Sequence, residues 1–271
     1  MYDRGVGVMT ASISTAVSQG FGPRAMTLLV AAGALAALAG CAGSTADSTP
    51  SDPREAQNRE IHAFNKGVDR YAFRPASKAY GAVLPDPIEA GISNAAHNLA
   101  EPTNVVNSLL QGRVQNAGVG TLRFALNSTV GLLGLFDPAS AMGVERKETD
   151  FGETLHVWGV SEGAYAEVPL IGPTTDRDLA GKVVDFAMSP WRYVLPTREA
   201  NAVTAIGLAS KLGDRSKYSD TVDSVLYESA DSYAQTRLMY LQNRRYKLGQ
   251  TSGSDGDDGF VDPYEDAANG N

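Results

Sequence analysis

The chain contains one cysteine, Cys41, and it closes the string Leu38-Ala39-Gly40-Cys41 at the end of an apolar run, Ala25–Ala39. Arg4 and Arg24 precede the run and give the segment a basic start. Basic start, apolar run and small residues in that order describe a secretory signal peptide with its cleavage site. The run is too short for a transmembrane helix, which needs about 20 apolar residues. Two constraints follow. Residues 1–40 are excluded from the folded domain, and that domain, outside the cytoplasm, must stand without a disulfide. Loss of residues 1–40 removes Asp3, Arg4 and Arg24, leaving 21 Lys and Arg against 30 Asp and Glu, a net charge of −9. So acidic a chain is no nucleic-acid binder, which wants a basic face, and has no polybasic hold on anionic headgroups. About 230 residues suffice for one domain with a core. No mature run reaches transmembrane-helix length.

The four residues ending at Cys41 resemble the lipobox of bacterial lipoproteins, in which the cysteine sulfur is acylated, the preceding bond is cut and the new amino group is acylated. Cys41 is therefore the expected lipidation site, and several acyl chains at one site make a firm anchor. Ala42, rather than Asp, follows the cysteine. By resemblance to sorting in Gram-negative bacteria this directs the protein to the outer membrane. Residues 42–51 form a small, polar linker with a root-mean-square reach of about 18 Å, which keeps the domain against the membrane. The expected layout is a signal peptide at 1–40, lipidated cysteine and linker at 41–51, a helical domain at 52–249, and an acidic Gly/Asp-rich tail at 250–271 that is expected to be disordered.

Asp52 as N-cap, Pro53 in the first turn and Glu55 closing a capping box predict a first helix. Ile61, Phe64, Val68 and Tyr71 fall three or four residues apart on one of its faces, and Pro75 is expected to end it. A second helix is predicted over Asp86–Ala100. Pro102 is expected to open a third over Thr103–Gln111, with Val105, Val106, Leu109 and Leu110 inward and Gly112 as its stop. A fourth covers Gln115–Asn127. Ser128–Pro138 interleaves Val130, Leu132, Leu133, Leu135 and Phe136 with Gly131 and Gly134; it reads either as a buried turn or as an apolar hairpin that touches lipid or moves. Leu155–Leu170 has strand character, and Leu170–Asp178 reads as a turn into another helix. Thr221–Lys247, capped by Asp220 and stopped by Gly249, reads as the longest helix, with Val222, Val225, Leu226 and Tyr233 on its face and Arg244, Arg245 and Lys247 at its negative end.

Chemical motifs are sparse. Gly159-Val160-Ser161-Glu162-Gly163 matches the nucleophile elbow of serine hydrolases, but the elbow needs strand, turn and helix in that order, with a histidine later. Here a strand-like segment follows the serine, and the last histidine, His156, precedes it. His62, His97 and His156 have no metal-ligand spacing, and Asp255, Asp257, Asp258, Asp262 and Asp266 imitate a calcium loop badly. No catalytic, metal or cofactor residues are assigned.

The remaining strings carry a resemblance. Asp52-Pro53, Asn58-Arg59, Phe64-Asn65, Asp69-Arg70-Tyr71 and Arg74-Pro75 come first. Asn98-Leu99-Ala100-Glu101-Pro102, Val106-Asn107, Leu109-Leu110-Gln111-Gly112, Arg123-Phe124 and Asn127–Gly131 follow. Gly134–Asp137, Asp150–Leu155, Trp158-Gly159-Val160, Pro169–Pro173 and Arg177-Asp178 complete the set. In this order, over Asp52–Val184, they are similar to the MlaA (VacJ) family of outer-membrane lipoproteins. Gln57 and Ser161–Ala164 depart from the family pattern. The resemblance implies a mainly α, ring-like helical domain with a short Gly-rich hairpin and minor strand content. It also implies a non-enzymatic role. Phospholipids misplaced in the outer leaflet pass through an amphipathic channel to a periplasmic MlaC-like carrier and an inner-membrane ABC transporter, beside a trimeric porin. Phe64, Asn65, Val130, Gly131, Leu132, Leu133, Gly134, Leu135 and Phe136 are its channel or gating candidates. A membrane-anchored phospholipase and a purely structural porin-associated lipoprotein are the competing readings.

Overall fold

A computed structural model describes residues 52–249; Cys41, the signal peptide, the linker and the acidic tail lie outside the described residues. The fold is mainly α. The helices are α1 (Glu55–Val68), α2 (Arg74–Val83), α3 (Asp86–Leu110), α4 (Val114–Thr129), α5 (Pro138–Ala141), α6 (Phe151–Val157), α7 (Asp176–Met188), α8 (Trp191–Val194), α9 (Thr197–Lys217), α10 (Ser219–Asp223) and α11 (Ser232–Lys247). Two π-helical turns, π1 (Asp69–Phe73) and π2 (Ser224–Glu228), and two strands, β1 (Tyr165–Val168) and β2 (Gly172–Thr175), complete it. The strands pair antiparallel with Tyr165 opposite Thr175. Packing closes on itself. From α1 it passes through π1 to α2, then α9, α3, α6, α7, β2 and β1, and β1 returns to α1.

Several boundaries differ from those expected. Pro75 does not end the first helix; it sits in the first turn of α2, after π1. The Arg74 N–H bonds to the Asp69 carbonyl, five residues back, and this widened turn accommodates the missing proline N–H. Nor does Asp52 cap α1: its carboxylate accepts from Asn58 Nδ2 at 2.8 Å and from the Tyr233 hydroxyl. Pro102 lies inside a continuous α3, and Trp191 Nε1 donates to the Leu99 carbonyl at 2.6 Å beside the break in the bond ladder. The strand-like stretch from Leu155 begins as the end of a helix, because Asp150 caps α6 by accepting from the Glu153 N–H at 2.8 Å, and only Tyr165–Val168 within it is strand. The expected turn before α7 contains β2, and Thr175 caps that helix. The expected Thr221–Lys247 helix is broken at Ser229–Asp231, where Asp231 caps α11 through the Ala234 N–H at 3.0 Å and pairs with Arg59 at 2.9 Å. Helix α9 lacked a sequence signal because its buried positions are Ser210, Gly213 and Arg215, with no apolar stripe. Gly112 and Gly249 stop their helices with φ of 73° and 69°.

The larger correction concerns which side faces in. On α1 the buried residues are Asn58 and His62, while Phe64 and Tyr71, from the apolar face that the spacing marks, are 53% and 81% exposed. On α3 the buried set includes Asn98, Glu101, Asn104, Asn107 and Ser108, while Val106, Leu109 and Leu110 face out. Buried side chains among the described residues are mostly polar, and the one apolar cluster is Tyr165, Tyr233 and Leu241 with Tyr240 against it. Helices meet instead through small residues. A Cβ on Gly181 would strike the Gly152 backbone, and one on Gly81 would strike Ser216. Close approach through glycine is how helices associate when burial of large apolar side chains does not drive them together.

Buried ion pairs tie the polar interior. Arg215 holds Asp69 at 2.9 Å and Asp223 at 2.6 Å, and Arg244 holds Asp150 at 2.7 Å and Asp178 at 2.9 Å. On the rim, the Arg59 guanidinium first and the Ala234 N–H next lower the Asp231 carboxyl from 3.8 to about 2. A depressed carboxyl contributes stability above its unfolded value and loses it as pH falls through the folded one. Hydrogen bonds and ion pairs hold Asp137, Asp150 and Asp223 down in the same sense, against the burial that would raise them. Helical circular dichroism in detergent should therefore fall between pH 3.8 and about 2. Asp231→Asn should weaken this acid limb; an unchanged acid transition in that variant would refute the cap-and-pair account.

Candidate functional site

No helix among the described residues is long and apolar enough to cross a membrane. Large apolar side chains nevertheless cover much of the exterior. Val83, Ile88, Leu109, Val114, Phe186 and Val194 are all more than half exposed, as are Val130, Leu132, Leu133 and Phe136 in the apolar turn after α4. Where such side chains are contiguous they mark a surface that meets another protein or a membrane.

The turn Val130–Phe136 concentrates the feature. The Gly134 N–H donates to the Asn127 carbonyl at 2.8 Å, the Leu133 N–H to the Ser128 carbonyl at 3.1 Å and the Phe136 N–H to the Gly131 carbonyl at 2.9 Å. Leu132, Leu133 and Gly134 all have positive φ, at 51°, 61° and 92°. For the leucines that is a strained conformation held by its surroundings. Gly131 and Gly134 are buried, while Val130, Leu132, Leu133, Leu135 and Phe136 point outward, Leu133 being 77% exposed. Of the two readings open from sequence, the buried turn fits the glycines, while the apolar side chains are exposed rather than buried.

A buried arginine holds the turn in place. Arg123, 1% exposed, donates to both Asp137 oxygens at 2.9 and 3.1 Å, to Ser140 Oγ at 3.2 Å and to the Val144 carbonyl, and pairs with Glu101 at 3.4 Å. Asp137 also accepts from Asn127 and caps α5. Burial would raise the Asp137 carboxyl, but bonds from Ser140, Asn127 and Arg123 hold it well below the usual carboxylate range. Glu101, desolvated more than it is bonded, goes up. Asn98 Nδ2 reaches Ser128 Oγ at 3.0 Å, and its Cβ lies where a Cβ on Gly134 would fall.

Phe64 and Asn65 lie elsewhere, on α1. Asn65 straddles the strand hairpin: Nδ2 donates to the Val168 carbonyl at 3.1 Å and Oδ1 accepts from the Leu170 N–H at 2.8 Å. Phe64 beside it is exposed. The structure thus gathers Val130–Phe136 into one turn packed on α3 and α4, and sets Phe64 and Asn65 on the α1–β1 side.

Two cavities open along α3. One of about 630 Å³ lies between α2, α3 and α9 and is lined by Tyr80, Glu89, Asn94, Asp214 and Lys217 among others. The other, of about 360 Å³, lies between α3, α7 and α9 and includes Leu99, Asn104, Asp185, Trp191 and Val203. Asn94 joins the first cavity to the apolar turn, donating to the Leu135 carbonyl at 3.4 Å.

Sequence reasoning had Glu101 and Arg123 only within the strings of the family resemblance, with no role of their own, and it passed over the acidic cavity. The usable signal was the three-residue spacing Asn98, Glu101, Asn104 and Asn107, a polar stripe along one helix face. The GxSxG string forms no elbow: helix α6 precedes Ser161 and strand β1 follows it, the reverse of the required order. His156 is held neutral, its pKa lowered by burial and by Arg177. Among the described residues no grouping of His, Cys, Asp and Glu could hold a metal ion.

Comparison with known proteins gives the same picture. The model of the family "MlaA lipoprotein" matches residues 50–247. The Intermembrane phospholipid transport system lipoprotein MlaA of Haemophilus influenzae is 35% identical over 228 residues, covering 82% of this chain and 89% of that one. Its Escherichia coli namesake is 33% identical over 200 residues, 72% and 78% of the two chains. A solved structure described as "Structural basis for maintenance of bacterial outer membrane lipid asymmetry" superposes with a TM-score of 0.62 at 33% identity, over 73% of this chain and 99% of that one. The chain belongs to the MlaA lipoprotein family.

Proposed function

We propose that this protein is anchored through Cys41 in the outer membrane, facing the periplasm, and removes phospholipids from the outer leaflet. They pass through its ring to a periplasmic MlaC-like carrier, which maintains outer-membrane lipid asymmetry. A trimeric porin is the proposed membrane neighbour. The observation that carries the reading is the inverted partition of side chains, apolar outside and polar inside. An apolar exterior is stable in hydrocarbon, and a polar interior lowers the cost of taking a charged headgroup through it. The turn Val130–Phe136 is proposed to lie against lipid and to move with the cavity it touches through Asn94. Phe64 and Asn65 are proposed as the opposite side of the passage. The names of the relatives, intermembrane phospholipid transport lipoproteins, support the coarse reading. The broken elbow at Ser161 leaves the phospholipase reading without its motif.

The test is deletion in the native host followed by measurement of outer-leaflet phospholipid, which should rise and return to normal on complementation. Cys41→Ser should fail to complement and should leave the outer-membrane fraction. Unchanged lipid distribution in the deletion strain would refute the transport role, and normal fractionation of Cys41→Ser would refute the anchor.

A further inference from the structure

Away from the apolar turn, side chains from α1, β1 and α11 form one hydrogen-bonded row. Helix α1 sets His62 and Lys66 four residues apart on one face. Strand β1 sets Tyr165 and Glu167 two residues apart on one side. Asp231 caps α11 and pairs with Arg59 of α1, which brings Ser232, the first residue of α11, against the first helix. Glu167 Oε1 lies 3.1 Å from His62 Nδ1, and His62 Nε2 lies 3.1 Å from Ser232 Oγ. Lys66 Nζ donates to the same Oγ at 3.3 Å. Glu167 and His62 are buried, and Ser232 and Lys66, half-buried, end the row toward the surface.

The donors and acceptors fix the protons along the row. Glu167 Oε1 also accepts from the Tyr165 hydroxyl at 3.0 Å, and Oε2 accepts from Asn65 Nδ2 at 3.4 Å, so both carboxylate oxygens face donors. His62 Nδ1 therefore carries its proton toward Glu167, and Nε2 is left as an acceptor. Lys66 can only donate, so Ser232 Oγ accepts from it and turns its own proton to His62 Nε2. The Tyr233 ring, edge-on to the imidazole at 5.7 Å, holds that ring in place. Hydroxyl, imidazole and carboxylate in this order are the constellation of a serine hydrolase, which is recognised by geometry and roles on any fold. Asp231 occupies the Ala234 N–H at the start of α11. Charge developing on a carbonyl oxygen at Ser232 therefore falls to the Lys66 ammonium.

We infer that Ser232, His62 and Glu167 form a catalytic triad that hydrolyses an acyl ester of a glycerophospholipid. Ser232 Oγ attacks the ester carbonyl carbon as its proton passes to His62 Nε2, and the carbonyl electron pair moves onto oxygen beside Lys66. That pair re-forms the carbonyl, the ester C–O bond breaks, and the leaving alkoxy oxygen takes the proton from His62. Water, giving a proton to His62, then attacks the acyl-serine, and Ser232 leaves with that proton as the fatty acid is released. Glu167 is a positioning residue that holds the imidazole in the reactive tautomer. Lys66 and Arg70, which both lie against the Tyr227 ring at 5.6 and 4.9 Å, supply positive charge for the phosphate of the substrate. The choice of a phospholipid ester rests on the transport reading; the triad itself does not.

The test uses the lipidated full chain in detergent and a fluorophosphonate probe, which loses fluoride as a serine oxygen bonds to phosphorus. Wild type should take the label on Ser232, located by mass spectrometry of its peptides, and should release fatty acid from phosphatidylethanolamine in mixed micelles. Ser232→Ala removes one hydroxyl, should melt as wild type does, and should lower fatty-acid release about 100-fold or more. Glu167→Gln should slow labelling, and Glu167→Asp should recover part of the rate, which a side chain that merely fills space would not do when shortened. Wild type unlabelled at Ser232, or fatty-acid release that survives Ser232→Ala, overturns the triad. Equal loss in Glu167→Gln and Glu167→Asp overturns the positioning role. Label at Ser232 with no fatty acid released overturns the phospholipid as substrate. Each of these outcomes leaves the transport reading standing, because that is read separately from outer-leaflet phospholipid in cells.

Discussion

Arg123→Met should leave little folded protein. The guanidinium is buried, bonds both oxygens of Asp137, reaches Ser140 and the Val144 carbonyl, and faces Glu101. Removing it leaves Glu101 without its paired cation in the interior and Asp137 with only Arg146, 4.0 Å away, a change that costs about 3–5 kcal/mol. Against a whole-domain stability of about 5–15 kcal/mol, that is enough to collapse yield and lower the thermal midpoint sharply in detergent. Arg123→Lys keeps the charge and loses the fork, and should fall between the two. Adding Glu101→Gln and Asp137→Asn to Arg123→Met should recover part of the loss, because the uncompensated charges disappear with their partner. A wild-type melting curve for Arg123→Met would show that the cluster is incidental.

Gly131→Val and Gly134→Val should unfold the turn, whereas its exposed leucines should not matter to stability. A Cβ on Gly131 would strike the Phe136 carbonyl and lie 2.5 Å from the Asn127 carbonyl. On Gly134 it would lie 2.5 Å from Asn98 Cβ, with φ at 92° adding strain. Overpacking and strain together should cost about 1–3 kcal/mol. Leu132→Asp with Leu133→Asp touches only outward side chains, 60% and 77% exposed. Thermal unfolding in detergent should stay unchanged for that pair while outer-leaflet phospholipid rises in cells. Normal lipid distribution with both aspartates in place would remove the turn from the passage. Stable glycine variants would show that the close contacts relax freely.

Helix existence was legible wherever caps and stops were local. Gly112 and Gly249 end helices because only a left-handed residue fits there, and α4 was read to within two residues at each end. The two-strand hairpin was half legible, since Tyr165–Val168 alternates but Gly172–Thr175 looks like a turn until Asn58 and Asn65 pin its partner. Orientation was misread for a physical reason. Periodicity locates an apolar face and is silent on whether water, protein or lipid lies against it; placing Val106, Leu109 and Leu110 inward assumed that an apolar face turns to the protein's own interior. The roles of Arg123 and Glu101 were not legible either, since charged side chains are almost never fully buried unless paired and composition gives no sign of the pairing. The candidate turn was legible in composition, while its tether to Arg123 depended on contacts between residues 14 to 22 positions apart.

The inverted partition also shapes how this domain should respond to temperature. Unfolding of an ordinary globular domain bares apolar area to water, and the resulting heat-capacity rise, about 12–15 cal/mol/K per residue, curves its stability against temperature. Here Leu133, Val83 and their neighbours are outside before unfolding begins, and what unfolding newly hydrates is asparagine, threonine and paired charge. Polar hydration lowers heat capacity where apolar hydration raises it. The domain should therefore unfold with a small heat-capacity increment and a broad, flat stability curve. Its thermal limit would be set by the enthalpy of its internal hydrogen bonds, with little tendency to weaken in the cold.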